Sequence, residues 1–157
     1  MRKRIINPVQ QDLSYPERNW LNIESIAIVE VSSEDAEHPI EAALLADRLS
    51  GWRALDSGKQ IIRLIFDQPQ SLEWIKLSFE ERAVERTQEY VLRWSPDKDH
   101  SCQEIVRQQW NFSPDGSISQ IEEYHVQLRS VTTIELIITP DISERYCVAS
   151  LKQLRFA

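Results

Sequence analysis

Gln60-Ile61-Ile62-Arg63-Leu64-Ile65-Phe66, followed beyond Asp67-Gln68-Pro69 by the run Leu72 to Phe79, is the stretch that decides the fold class. Apolar residues recur at every second position, at Ile62, Leu64 and Phe66 and then at Ile75, Leu77 and Phe79. Successive side chains of a strand point to opposite faces, so this period of two marks strands with one buried face. The polar Asp67-Gln68-Pro69 reads as a turn between two strands.

The same reading extends in both directions. Upstream, Leu21 to Val31 is a β-rich run that stops at Ser32-Ser33-Glu34-Asp35. Downstream, Thr87 to Ser95 places Tyr90, Leu92 and Trp94 on one face, and Pro96-Asp97-Lys98-Asp99 turns the chain. Gln103 to Phe112 follows, closed by Ser113-Pro114-Asp115-Gly116. Ile121 to Leu128 sets Tyr124, Val126 and Leu128 inward, and Val131 to Thr139 carries Ile134, Leu136 and Ile138 before Pro140-Asp141. Val148 to Phe156 makes the last run, so eight short strands joined by turns are expected, the pattern of a sandwich or jelly roll. One segment departs from it: Pro39 to Leu49, with Ala42, Ala43, Leu44, Leu45 and Ala46, is expected to be a short helix.

A length of 157 residues suits a single domain, expected over residues 21–157 behind an N-terminal extension of residues 1–20. A net charge of −7 argues against a general nucleic-acid binder, which needs concentrated Lys and Arg. The basic start Met1-Arg2-Lys3-Arg4 has no apolar run behind it of signal-peptide length, and no stretch is long and apolar enough to cross a membrane. Cys102 and Cys147 form neither a disulfide framework nor a metal-ligand pair. A cytoplasmic location, with no membrane or nucleic-acid partner, is the expectation.

From about Ile23 onward the order of features resembles the galactose-binding-like domains, also called discoidin or coagulation factor 5/8 type C domains, which include many bacterial carbohydrate-binding modules. The resemblance is carried by several short motifs in sequence order. They are Val31-Ser32-Ser33-Glu34; Ala46-Asp47 and then Ser50-Gly51-Trp52; Gln60 to Phe66; Ile75-Lys76-Leu77; Arg86 to Asp97 around Tyr90; and the closing Ala149 to Phe156. It implies an all-β jelly-roll sandwich and a non-catalytic, lectin-like function in which loops at one end bind carbohydrate.

The resemblance also implies site residues. Sugar-binding members often carry an Arg just before the Tyr-containing strand, and Arg86 matches it; five fixed guanidinium donors suit paired sugar oxygens. Arg86→Ala is therefore expected to remove sugar binding and to leave folding intact. The alternative for Arg86 is an exposed loop residue paired with a carboxylate. Where members often have a His after the family's Trp, this chain has Arg53, which with Asp56 would offer a donor and an acceptor. Trp52 is expected to support that loop from the core. Members often hold calcium between the Asp-containing loop and a Glu of the last strand. Here Asp47 and Ser50 match the loop, Gln153 replaces the Glu, and no tightly bound calcium is expected.

Catalysis is not expected. His38, His100 and His125 have no recognisable nucleophile partner, and neither Glu80-Glu81 nor Asp97 with Asp99 defines a glycosidase pair without distances. The competing reading is a protein-interaction or assembly module, with Arg107 and Trp110 on its interface and a second copy of the chain as one possible partner.

Overall fold

The computed structural model describes residues 2–3, 18–48, 50–97 and 102–157. Met1, residues 4–17, Leu49, Lys98, Asp99, His100 and Ser101 lie outside the described residues, and with them most of the expected extension and half of the expected 96–99 turn.

Eight strands and one short α-helix occur among the described residues. The strands are β1 (Ala27–Val31), β2 (Trp52–Ser57), β3 (Gln60–Glu80), β4 (Arg86–Ser95), β5 (Gln103–Phe112), β6 (Ser119–Thr139), β7 (Val148–Leu151) and β8 (Gln153–Phe156); the helix, α1, is Glu41–Leu44. The total matches the expected number, but the division differs. The two runs on either side of Asp67-Gln68-Pro69 are one continuous strand, and so are the two on either side of Arg129-Ser130. The last run is two strands, broken at Lys152, and β2 carries no alternation long enough to have been expected. Leu21 to Ser25 is not strand: Ile23–Ser25 is a 3-10 turn. The helix is shorter than expected because Leu45 already has extended backbone.

The missing turns have a physical cause. Inward residues are even-numbered at Ile62, Leu64 and Phe66 and odd-numbered at Ile75, Leu77 and Phe79. The phase is reset by register shifts against β6 between Ile65 and Trp74, and the irregular pairing bends the ribbon there while the chain stays extended. Pro69 falls inside this irregular stretch, where a missing ladder donor is tolerated. On the facing strand Ser130 has φ +56°.

The bend folds the β3–β6 ribbon onto itself and creates two layers. In one, the first half of β3 and the second half of β6 are central to the order β1-β3-β6-β4-β5. In the other, the second half of β3 pairs with the first half of β6 and with β8, from Ile75↔Phe156 to Ser78↔Gln153. Contacts across the gap are aromatic. Phe79 stacks on Tyr90 with centroids 5.1 Å apart, and Phe66 meets Phe156 edge-on at 6.4 Å. The hydroxyls of Tyr90 and Tyr124 share a 2.5 Å hydrogen bond between the layers. Ile62, Leu64, Leu92, Ile134, Leu136, Leu77 and Leu154 fill the rest, all fully buried. This is an antiparallel jelly-roll sandwich.

A two-stranded ribbon, β2 with β7, closes one end, with Trp52↔Leu151 in register and the Trp52 side chain 1 % exposed. Gly51, just before it, has φ +81°, and a Cβ there would lie 2.9 Å from the Leu151 carbonyl oxygen. Gly51→Ala is therefore expected to lower unfolding free energy by more than ~1 kcal/mol, read as a lower urea midpoint at unchanged slope.

Candidate functional site

Strand directions gather five connections at one end of the sandwich. β1 ends at Val31 opposite Ile62, β6 ends at Thr139 opposite Glu89, and Arg86 at the start of β4 faces Phe112 at the end of β5. The loop after β1, the β2–β3 turn and the segments 81–85, 113–118 and 140–147 therefore lie together. The bend of the β3–β6 ribbon occupies the opposite end.

The β2–β3 turn is set from below by a hydrogen-bonded knot. Ser32 and Ser33 hydroxyls both donate to Gln60 Oε1 at 2.7 Å, and Ser33 Oγ accepts the Leu55 and Asp56 N–H groups at 3.1 Å. Gly58, at φ +81°, turns the chain and donates its N–H to the Cys147 carbonyl. Lys59 then projects from the turn, exposed, and no carboxylate among the described residues pairs with it.

The facing wall is the 140–147 segment, and Arg86 anchors it. Its Nη1 donates to the Pro140 carbonyl at 2.8 Å and to Gln88 Oε1 at 3.0 Å, and its Nε donates to Glu81 Oε1 at 2.8 Å. The guanidinium also lies 4.9 Å from the Phe112 ring centroid. Asp141 ties the segment to itself: its carboxylate accepts from the Ser143 N–H at 3.0 Å and from Arg145 Nε at 2.8 Å. Burial pushes the Asp141 carboxyl up, but those two donors outweigh it and hold it below the usual carboxylate range. Arg145 Nη2 donates to the Glu85 carbonyl at 3.1 Å, and the Ile142 N–H donates to Thr87. On this braced loop Glu144 takes φ +58°, and Tyr146 is 85 % exposed.

Between turn and wall lies an open cavity of about 550 Å³, lined among others by Lys59, Thr139, Asp141, Glu144, Arg145 and Tyr146. It offers cationic donors, carboxylate acceptors and one free aromatic face, without a deep apolar interior. That composition suits a polar, hydroxylated ligand.

The residues singled out in the sequence take different places. Arg53 and Asp56 are exposed on β2, the strand that feeds the turn, and neither lines the cavity. Trp52 is core. Arg86, matched to a sugar-contacting residue, is 1 % exposed, and its bonds go to the protein. Its alternation with Gln88, Tyr90 and Leu92 points it between the layers, so it is neither an exposed loop Arg nor a residue that can be removed without cost to folding. The paired polar segments do lie side by side, with Gln88↔Trp110 and Glu89↔Gln109 in register. Arg107 and Trp110, however, point to opposite faces of β5. Arg107 pairs outward with Glu89 and Glu104 at 2.8 and 2.9 Å, whereas Trp110 packs toward the core. Tyr146, Lys59 and Arg145 were not read from the sequence. The available signal was an aromatic residue in a segment without alternation, where periodicity assigns it no place in the core.

The loop matched to the calcium site is held by a cationic side chain of the protein. Asp47 and Ser50 are exposed, and the buried Arg155 guanidinium donates to the Leu44 and Leu45 carbonyls at the end of α1. A fixed cation thus already holds this loop end, where the Leu45 carbonyl also accepts from the Arg48 N–H. Among the described residues no cluster of three or more His, Cys, Asp or Glu is placed to bind a metal. Cys102 and Cys147 are both free, and burial raises both thiols, the reverse of what a nucleophile needs.

Solved structures with the same fold include carbohydrate-binding modules. The chain is similar to a pectin-binding module (18 % identity, TM-score 0.61, covering 83 % of this chain and 89 % of that one). It is similar also to the family 32 module of NanJ from C. perfringens, solved with galactose (10 %, TM-score 0.63, 87 % and 96 %). A third is the CBM32 domain of AlyQ, solved with 4,5-unsaturated mannuronic acid (21 %, TM-score 0.54, 84 % and 95 %). At these identities the likeness establishes the fold. No protein-family model matches the sequence, and no curated protein does.

Two outcomes follow from the Arg86 and Asp141 anchors. Arg86→Met removes the donor to Glu81 Oε1 and to the Pro140 carbonyl and should cost about 2–4 kcal/mol in chemical denaturation. Because Asp141 is depressed in the folded state, its contribution is present above about pH 4 and lost as pH falls below that. Thermal scans between about pH 6 and about pH 3 should show a smaller loss of Tm for Asp141→Asn than for the parent chain, from a lower start.

Proposed function

We propose that this chain is a non-catalytic carbohydrate-binding module, and that its ligand occupies the cavity between the β2–β3 turn and the 140–147 segment. The observation that carries the reading is the exposed Tyr146 ring on the rim of a polar cavity, at the loop end of a galactose-binding-like sandwich. A pyranose has an apolar C–H face and an edge of hydroxyls. An exposed aromatic ring takes the face, and charged side chains take the hydroxyls. Here Lys59 and Arg145 donate and Glu144 accepts. Solved neighbours with this fold include carbohydrate-binding modules, which supports the class of ligand and leaves the particular sugar to experiment.

Arg86 serves this site from behind. It fixes the Pro140 carbonyl and with it the wall on which Tyr146 stands, so it is a positioning residue. Arg53 and Asp56 stand on β2, outside the cavity lining. Of the two carboxylates in the cavity, Asp141 is ion-paired with Arg145.

Ligand-observed saturation-transfer NMR against common mono- and disaccharides tests the reading. Transfer to at least one sugar is expected, with affinity falling at least about tenfold in Tyr146→Ala and Tm unchanged, because the ring contributes to binding and not to packing. Equal affinity in Tyr146→Ala would remove the site, and silence across the panel would remove the function.

A further inference from the structure

The end cavity does not stop at Lys59. A second cavity of about 380 Å³ begins there, sharing Lys59 and Thr139 with the first, and runs over the outer face of the five-stranded sheet. Its floor is a row of in-register residues, Ile137 on β6 beside Val91 on β4, with Arg107 of β5 next in the row. Glu89, Arg93 and Glu104 stand beside this row. With strands ~4.8 Å apart, the three strands make a trough ~10 Å across, apolar at the bottom and charged at the sides.

The charges divide unevenly. Arg107 is held by Glu89 and Glu104, Arg93 lies 3.9 Å from Glu135, and Arg145 is held by Asp141. Lys59, at the junction of the two cavities, is the lining cation that no carboxylate neutralises among the described residues. An acid group on the ligand at that point would gain a charge-assisted contact without displacing an existing ion pair.

We infer that the ligand is a chain of at least two sugar units carrying a uronic acid, with one unit against Tyr146, an acidic group at Lys59 and the next unit over Val91 and Ile137. This rests on the carbohydrate-binding reading above and deepens it. The first cavity alone would select a chain end, whereas the trough gives affinity that grows with length.

Isothermal titration with galacturonic acid, digalacturonate and tetragalacturonate, beside galactose and a neutral β-1,4-galactotetraose, tests it. The tetramer of galacturonate should bind at least about tenfold tighter than the monomer. Val91→Glu, which puts a longer, charged side chain at the bottom of the trough where Val91 is only 5 % exposed, should reduce the tetramer to about the affinity of the monomer. Lys59→Met, in an exposed turn, should remove the preference for acidic over neutral chains, and it keeps the test open if Val91→Glu does not fold. Equal affinity for monomer and tetramer overturns the extended site, as does a length gain that persists in folded Val91→Glu. A gain with the neutral chain alone overturns the acidic assignment. Binding of no sugar in either series overturns the carbohydrate reading itself.

Discussion

The β3–β6 ribbon must bury one face along both of its halves, and the rest of the structure depends on how it does so. A flat ribbon of two 21-residue strands would leave half its apolar side chains in water. Folding it at the irregular pairing near Gln70 and Val131 turns the halves toward each other, and each acts as the lid of the other's core. β1, β4, β5 and β8 then extend the edges that the fold has created, while β2 and β7 pair with each other at one end. β1 and β4 flank one half, β8 flanks the second, and β5 widens the first layer. Because the bend sits at one end, the loops accumulate at the other.

Two buried guanidinium groups make the loops at that end part of the scaffold. Arg86 spans Glu81, Gln88 and Pro140, and Arg155 takes the Leu44 and Leu45 carbonyls. Arginine suits the task because it stays charged and offers donors in a fixed fork, so a single side chain can fix several backbone segments in relation to one another. In Arg155 the charge is accepted with few compensating carboxylates: burial lowers its pKa and the nearby Asp47 partly restores it. The consequence is a cavity whose walls are braced before a ligand arrives, which reduces the ordering cost of binding.

Such bracing bears on what the site can recognise. Tyr146 is held out by a loop whose carboxylate, N–H groups and guanidinium are mutually engaged, and the trough beyond Lys59 is floored by strands. Rigid walls with exchangeable polar groups are matched to a ligand that presents many similar hydroxyls in a repeating geometry.

The period-two runs determined the all-β class, the antiparallel sandwich and most strand positions, because alternation records which face of each strand is buried. Even the ribbon's bend was present in the sequence, as the change from even to odd inward positions between Phe66 and Ile75, although Asp67-Gln68-Pro69 by composition resembles a chain-reversing turn. β2 and the true extent of α1 were not legible, since short elements are stabilised by what they pack against. The site was mostly decided by tertiary structure. Arg86 was found by its place before Tyr90, but whether it faces solvent or core depends on a layer formed by residues from three other strands. Tyr146, Lys59 and Arg145 are ordinary residues in polar segments, distant from one another in the chain or without pattern. They become a site only because the fold brings the β2–β3 turn and the 140–147 segment to opposite walls of one cavity, and exposure is a property of that arrangement which no local pattern encodes.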